Sequence, residues 1–464
     1  MTSRVLLSSA ALFLSILSLP GPAIAGQDPL AAIRAEIAEL RAEVARLRAE
    51  LEAVRGTGLP DQAPAPGTLP PPISVPPIGA PRAAPGPAQP PPDLDLLRAQ
   101  VSELAQVKVA SESRLPVRIF GTVHAHAFAN SAEANWLDLP NLVAPDPAAG
   151  PSGTFNAGLR QTRLGIAIDG PTLGGVRASG NIAMDFFGGI PGFQTGQVMG
   201  LPRLLVAYAR LEGERTAFEA GQDQMMLAPR DPTSLAAFSF PSFFRSGNLY
   251  LRVPQLRVER SITPTVRVMG GIVSPIAGDV PDETFRFVPP ALGGERSSQP
   301  AYQAHVGYAS DEPDARRLLA AGVSGHYGRE RPTATRENES WAGALDFAWR
   351  FERIGIAGEA FAGENLDAFG GGLGLNARAA GGWAELQLFP TDRVSLFAGF
   401  GLDELRDVRT VVPRRRNRTA SGTVIFALSP EIDAAFEYRW LETTPGRGEA
   451  RRNHHVDWVF VHRF

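Results

Sequence analysis

The chain has 464 residues, a formal net charge of -3 and no cysteine. That balance speaks against a nucleic-acid partner. The missing thiols exclude disulfides, thiolate metal sites and cysteine nucleophiles together. Lys108 is the single lysine, so arginine supplies nearly all the positive charge, and its planar fork suits carboxylates and phosphates. After the N-terminus there is no run of about 20 apolar residues to make a membrane-crossing helix. A chain of this kind enters a membrane only as a closed barrel, where every backbone group is paired between strands.

Residues 1–25 carry an export signal. Arg4 gives the positive start, Val5 to Leu19 the apolar stretch, and Ala23-Ile24-Ala25 the small-residue cleavage pattern, which leaves Gly26 as the mature start. Residues 26–56 follow as a coiled coil. Leu30, Ile37, Val44 and Leu51 take the a positions, and Ile33, Leu40, Leu47 and Val54 the d positions. The seam is flanked by arginines at e (Arg34, Arg41, Arg48, Arg55) and glutamates at g (Glu36, Glu43, Glu50). In a parallel bundle these pair between chains and set orientation. The bland alternative is an amphipathic helix packed on its own barrel. The seam implies self-association without choosing dimer or trimer. Gly56 ends the helix, and residues 57–92, rich in Pro, Ala and Gly, form a semi-rigid tether. A second short helix over 93–112 carries the heptad Leu94, Leu97, Val101 and Leu104.

From 113 to 464 the pattern is that of an all-β transmembrane barrel of about sixteen antiparallel strands. Val176, Ala178, Gly180, Ile182, Met184 and Phe186 alternate with Arg177, Ser179, Asn181 and Asp185, which is apolar to lipid and polar to lumen. Val266, Val268 and Ile272 alternate with Arg267 in the same way. Short turns are expected at 170–175, 213–216, 261–265, 310–315, 352–353, 390–393 and 429–431. Long loops are expected at 129–154, 188–200, 225–249, 275–300 and 329–339. Short turns at one end and long loops at the other are the barrel asymmetry. The last strand sets Val456, Trp458, Phe460 and Phe464 against Asp457, Val459 and Arg463. A terminal Phe closing such a strand is similar to the assembly signal of bacterial outer-membrane proteins. It implies the barrel-assembly machinery and outer-membrane lipids as partners, with His462 as a mild departure.

The run Phe155 to Gly165, with Arg160-Gln161-Thr162-Arg163-Leu164-Gly165 at its centre, resembles the "ARQSRLG" segment of DcaP-like trimeric porins. Asp169-Gly170-Pro171, Gly180 to Gly188, Leu204 to Leu211, Gly221-Gln222-Asp223 and Arg252-Val253-Pro254-Gln255-Leu256-Arg257 continue the likeness in order. It covers the signal, the coil and the first third of the barrel. Gly158 and the long tether depart from the family pattern. The resemblance implies a homotrimer of sixteen-stranded barrels, a periplasmic coiled coil, and passage of small solutes, preferably anions such as dicarboxylates.

A pore selects by its width and by the charges lining its narrowest ring. Strand parity turns Arg163, Arg177, Asp185 and Arg267 into the lumen. The third long loop, 225–249, is the candidate for folding inward. It offers Arg230, Asp231 and Arg245 to solute, with Phe238, Phe240, Phe243 and Phe244 to pack it on the wall. The alternative is solvated lumen charge with no selectivity. No paired nucleophile motif and no HExxH occurs, so no enzyme and no cofactor are expected. His124 and His126 share a strand face and His454-His455 straddle two, which suits satisfied histidines better than a metal site. The expectation is therefore a porin for small hydrophilic solutes. A phosphate-selective type of porin is the alternative within the class, and a non-conducting tether or adhesin the alternative outside it.

Overall fold

The computed structural model describes residues 117–144, 153–189, 200–276, 291–311, 316–407 and 412–464. The export signal, the coiled-coil seam, the tether and the second heptad lie outside the described residues. The barrel strands are β1 (Val117–Asn130), β2 (Thr154–Gly158), β3 (Arg163–Leu173), β4 (Val176–Asp185), β5 (Arg203–Glu212), β6 (Thr216–Gln224), β7 (Arg252–Ser261), β8 (Val266–Val273), β9 (Ala301–Ala309), β10 (Arg317–Thr333), β11 (Arg336–Phe351), β12 (Ile354–Glu364), β13 (Arg378–Leu388), β14 (Val394–Leu405), β15 (Arg414–Ala427), β16 (Ile432–Pro445) and β17 (Arg451–Arg463). Apart from β2 and β3, which both pair with β1, each pairs antiparallel with its sequence neighbours, and β17 returns to β1, with Thr122 opposite Arg463 and Asn130 opposite His455. No edge is left open, as a bilayer requires.

The seventeen segments make sixteen staves, because β2 and β3 pair with successive halves of β1 and are one stave broken at 159–162. The break has a local cause. Thr162 N–H donates to the Leu159 carbonyl in a turn, and Arg160 and Gln161, neighbours in sequence, are both buried. Strict alternation cannot turn two successive side chains inward. At the chain end, Phe464 exchanges both backbone hydrogen bonds with Gly121, at 3.0 and 3.1 Å. Trp458, Phe460 and Phe464 lie exposed while Asp457, Val459 and Val461 are buried.

Alternation decides the two faces throughout. Ile119, Ile182, Leu256, Val323, Leu345, Ile356, Phe400 and Trp458 stand exposed on the outer face. In lipid that surface is solvated; in water it would be an aggregation liability. The expected short turns lie at one end of the strands, but the first is tighter than expected, because β3 runs on to Leu173 and only Gly174 and Gly175 turn. The strand ends that flank 129–154, 188–200, 225–249 and 275–300, where long loops are expected, are all at the other end. The stretch 329–339 corrects that expectation. It is not a loop, because β10 and β11 run 17 and 16 residues and pair through it to Thr333 opposite Arg336. Strand that projects beyond the apolar band needs no apolar face, so the alternation fades although the ladder continues.

Two loops fold into the long-loop half of the barrel. One is 225–251. The other is 365–377, which contains the 3-10 turns Asp367–Phe369 and Gly371–Gly374. Met225, Met226, Leu227 and Leu249 of the first pack with Leu366, Phe369 and Leu373 of the second, against Val253, Val273, Phe361 and Leu405 of the wall. This apolar core inside the barrel holds both loops together.

Candidate functional site

Loop 225–251 is fixed to the wall by backbone donors that meet inward side chains. Met226 N–H donates to Gln303 on β9 (2.9 Å), Ala228 N–H to Ser324 on β10 (3.1 Å) and Arg230 N–H to Glu359 on β12 (2.6 Å). Thr233 N–H donates to Glu385 on β13 (2.9 Å), and Ser234 Oγ to Glu437 on β16 (2.5 Å). On the return, Ser246 Oγ meets Thr419 on β15 (2.8 Å). The loop lies flush because the wall under it is glycine. A Cβ on Gly401 would fall 2.2 Å from the Ser246 carbonyl oxygen, and one on Gly399 2.6 Å from the Phe243 ring.

The segment 160–163 is the clamp on the opposite side. The Gln161 amide donates to the Ala236 carbonyl (2.8 Å) and accepts from Phe238 N–H (2.8 Å) and Ser239 N–H (2.9 Å). Arg163 donates to the Phe238 carbonyl. Arg160 forks onto Asp138 of the first long loop, with Nε to Oδ2 at 2.6 Å. One short motif thus ties two loops to the barrel, which explains why two successive side chains turn inward.

Around this clamp arginines and aromatics interleave. The Arg160 guanidinium sits 3.6 Å over Phe187, Arg163 3.8 Å over Phe238, Arg203 4.5 Å over Phe240 and Arg252 5.7 Å over Tyr250. Arg203 and Arg252 both lie within electrostatic reach of Arg163. Their acidic neighbours are Asp185, forked by Arg203 at 3.1 and 2.6 Å, and Asp231. Burial pushes the Asp231 carboxyl above the ordinary carboxylate range, opposed by Asn248, Arg252, Gln224 and Arg163. The aromatic faces hold the guanidiniums by cation–π contact and keep them extended. Three guanidiniums thus stand beside two carboxylates.

The residues expected to line the lumen divide by position. Arg163 and Asp185 belong to this cluster. Arg177 faces Glu212 (3.1 Å) near the short turns and is well exposed. Arg267 is exposed at that same end, lining a cleft of about 50 Å³ with Arg210, Glu212 and Glu259. Of the loop residues, Asp231 joins the cluster, whereas Arg230 is committed to the wall through Asp346 on β11 (2.6 Å). The Arg245 guanidinium lies 5.6 Å from the Phe244 ring and 6.0 Å from Trp136. Two of the four loop phenylalanines pack on the wall, Phe238 on His124 of β1 and Phe243 on Trp383 of β13, and two pack on another loop. These two, Phe240 and Phe244, meet Trp136. Sequence parity missed Arg203 and Arg252. Both begin strands at the long-loop end, where the register that defines parity starts.

The fold is that of outer-membrane channels. The outer membrane channel DcaP of Acinetobacter baumannii superposes with a TM-score of 0.60 at 15% identity, covering 76% of this chain and 99% of that one. An anion-selective porin from Comamonas acidovorans superposes with a TM-score of 0.50 at 12% identity, covering 76% and 100%. No family model and no curated protein matches the sequence.

The histidines have structural partners. His124 Nε2 meets the Leu235 carbonyl (2.7 Å), His126 Nδ1 meets Asp457 (3.0 Å), and His305 meets Asp346 (2.8 Å). His326 lies 3.2 Å from Ser340, but that hydroxyl is fully buried and donates to the Asn365 carbonyl (2.8 Å). Among the described residues no group of three or more metal-ligating side chains is suitably placed.

Proposed function

We propose that this protein is an outer-membrane porin that passes small hydrophilic solutes and prefers anions, including small carboxylates. The observation that carries the reading is the inward loop 225–251. Acids of β11, β12, β13 and β16 hold it to the wall, and Arg163, Arg203 and Arg252 stand beside it. Asp346 and Glu437 are in addition paired with Arg230 and Arg439, which offsets their repulsion of an anion, whereas Arg163, Arg203 and Arg252 can still form charge-assisted contacts with one. The heptad seam from Leu30 to Val54 supports a periplasmic coiled coil joining protomers, here read as a homotrimer. The outward Trp458, Phe460 and Phe464 support recognition by barrel-assembly machinery.

The test is single-channel recording of the full-length native oligomer in a planar bilayer under a salt gradient. Conductance steps in groups of three, with a reversal potential on the anion side and block by succinate, are expected. A folded barrel without conductance would leave the tether reading, and a cation-side reversal potential would remove the anion preference.

A further inference from the structure

The outer face of β14–β17 breaks its own rule near the long loops. Below, it is apolar and aromatic, with Phe436, Tyr438, Trp458 and Phe460 exposed. Above Trp440 it becomes charged. Arg418, Glu442 and Arg452 are direct cross-strand neighbours on β15, β16 and β17. Their inward neighbours Asn417, Leu441 and Asn453 are completely buried, so this row points away from the lumen. Both guanidiniums grip Glu442, Arg452 through Nε at 2.9 Å. The carboxylate side chain is thereby only 2% exposed, while Arg418 and Arg452 remain 33% and 63% exposed.

The charge does not close within the patch. Arg406, Arg416, Arg418 and Arg452 face two carboxylates, Glu404 and Glu442. Across the barrel, the projecting β10–β11 hairpin is balanced, with Arg329 and Arg331 beside Glu337 and Glu339. The Nε atoms of Arg416 and Arg418 and the hydroxyl of Thr444, which lies opposite Arg416, are buried and have no hydrogen-bond partner among the described residues. Trp440 lies 5.7 Å from the Arg418 guanidinium, and the Tyr438 hydroxyl meets His454 Nδ1 at 2.7 Å.

We infer that this patch binds the head group of a phosphorylated glycolipid in the leaflet on the long-loop side. Excess positive charge on a lipid-facing wall is costly unless an anion meets it. Arginine forks match phosphate oxygens. The exposed pair His454 and Tyr438 supplies neutral donors and acceptors of the kind sugar hydroxyls need. The aromatic surface below accommodates acyl chains, as interfacial aromatics do. The inference rests on the outer-membrane reading but not on conductance.

The experiment measures binding of a diphosphorylated, acylated disaccharide lipid to the full-length protein in neutral detergent by native mass spectrometry. The dephosphorylated lipid and an anionic phospholipid run in parallel. The diphosphorylated lipid is expected to bind about tenfold or more tightly than the other two, about one strong contact's worth of free energy. Arg452→Gln, at the most exposed site, should weaken it severalfold, and Arg416→Gln with Arg418→Gln further. Glu442→Gln should preserve or tighten it, and Arg331→Gln on the balanced hairpin should leave it unchanged. Indifference to phosphate, equal binding of the phospholipid, or indifference to Arg452→Gln would each overturn the assignment. So would loss of the oligomer in Arg452→Gln without loss of lipid, which would make the patch a contact between copies. Conductance of each variant reports folding separately: a conducting barrel that ignores the lipid defeats this inference alone, and a folded barrel that binds lipid without conducting defeats only the porin reading.

Discussion

Two stretches of the same inner wall use charge in opposite ways. On β11–β13 and β16 the inward acids Asp346, Glu359, Glu385 and Glu437 are buried and serve loop 225–251. On β3, β5 and β7, Arg163, Arg203 and Arg252 lean on aromatic rings in a cluster with a net positive balance. Both stretches obey one alternation, polar inward and apolar outward. The lesson is that parity assigns a side chain to the lumen, but loop packing decides whether it meets solute. Of these anchoring acids, Asp346 and Glu437 also carry arginine partners, Arg230 and Arg439, so on the proposed reading loop packing and ion pairing together create the asymmetry.

The largest expected effect comes from breaking the seat of the loop. Gly401→Val places carbon where the Ser246 carbonyl now lies, and overpacking of this kind costs about 1–3 kcal/mol or more. The loop should lift, raising single-channel conductance severalfold and erasing ion preference while the barrel still migrates as folded. Next is the arginine side. Arg163→Gln, Arg203→Gln and Arg252→Gln together should lower the anion-to-cation permeability ratio by about tenfold or more, since each charge-assisted contact is worth roughly 1.5–3 kcal/mol. Single variants should give graded reversal-potential shifts.

A smaller effect sharpens the contrast. Arg230→Ala removes a guanidinium already neutralised by Asp346, so ion preference should change by less than about twofold on the scale of a partly exposed ion pair. It should instead raise open-channel noise as the loop loosens. The smallest effect is the pH response of Asp231. Its folded carboxyl titrates above the ordinary range because of burial, so acidification neutralises it before ordinary carboxylates and leaves the arginines less opposed. Anion preference should therefore strengthen as pH falls through that range, and Asp231→Asn should hold the acidic value at neutral pH. The raised value also means this carboxylate disfavours folding at pH above its unfolded range, so Asp231→Asn should slightly stabilise the protein at neutral pH.

Much of the barrel was legible because lipid imposes a period of two. The alternation around Val176–Asp185, the short turns and the outward Trp458, Phe460 and Phe464 follow from that constraint alone. The β10–β11 projection was not legible, since beyond the bilayer Arg329–Thr333 and Arg336–Ser340 have no apolar face to alternate. The inward course of 365–377 was hidden for another reason. Its apolar residues Leu366, Phe369 and Leu373 find partners far away in sequence, such as Met225 and Leu249. At the site, Arg163 and Asp185 could be read from parity. Arg203 and Arg252 could not, because they stand at strand starts. Gln161 was visible only as part of a resembling motif, and its role as a clamp depends on loop atoms 75 and more residues away.

On the proposed reading the arginine stretch sets ion preference while the acid stretch holds the loop. Reversal potentials across a tenfold salt gradient test it most directly, for the native oligomer, for the combined Arg163→Gln, Arg203→Gln and Arg252→Gln variant, and for Glu385→Gln. The native protein should give an anion-side potential, the arginine variant should collapse toward zero or the cation side, and Glu385→Gln should keep a nearly native potential. A native potential in the arginine variant, with a large shift in Glu385→Gln, would contradict it.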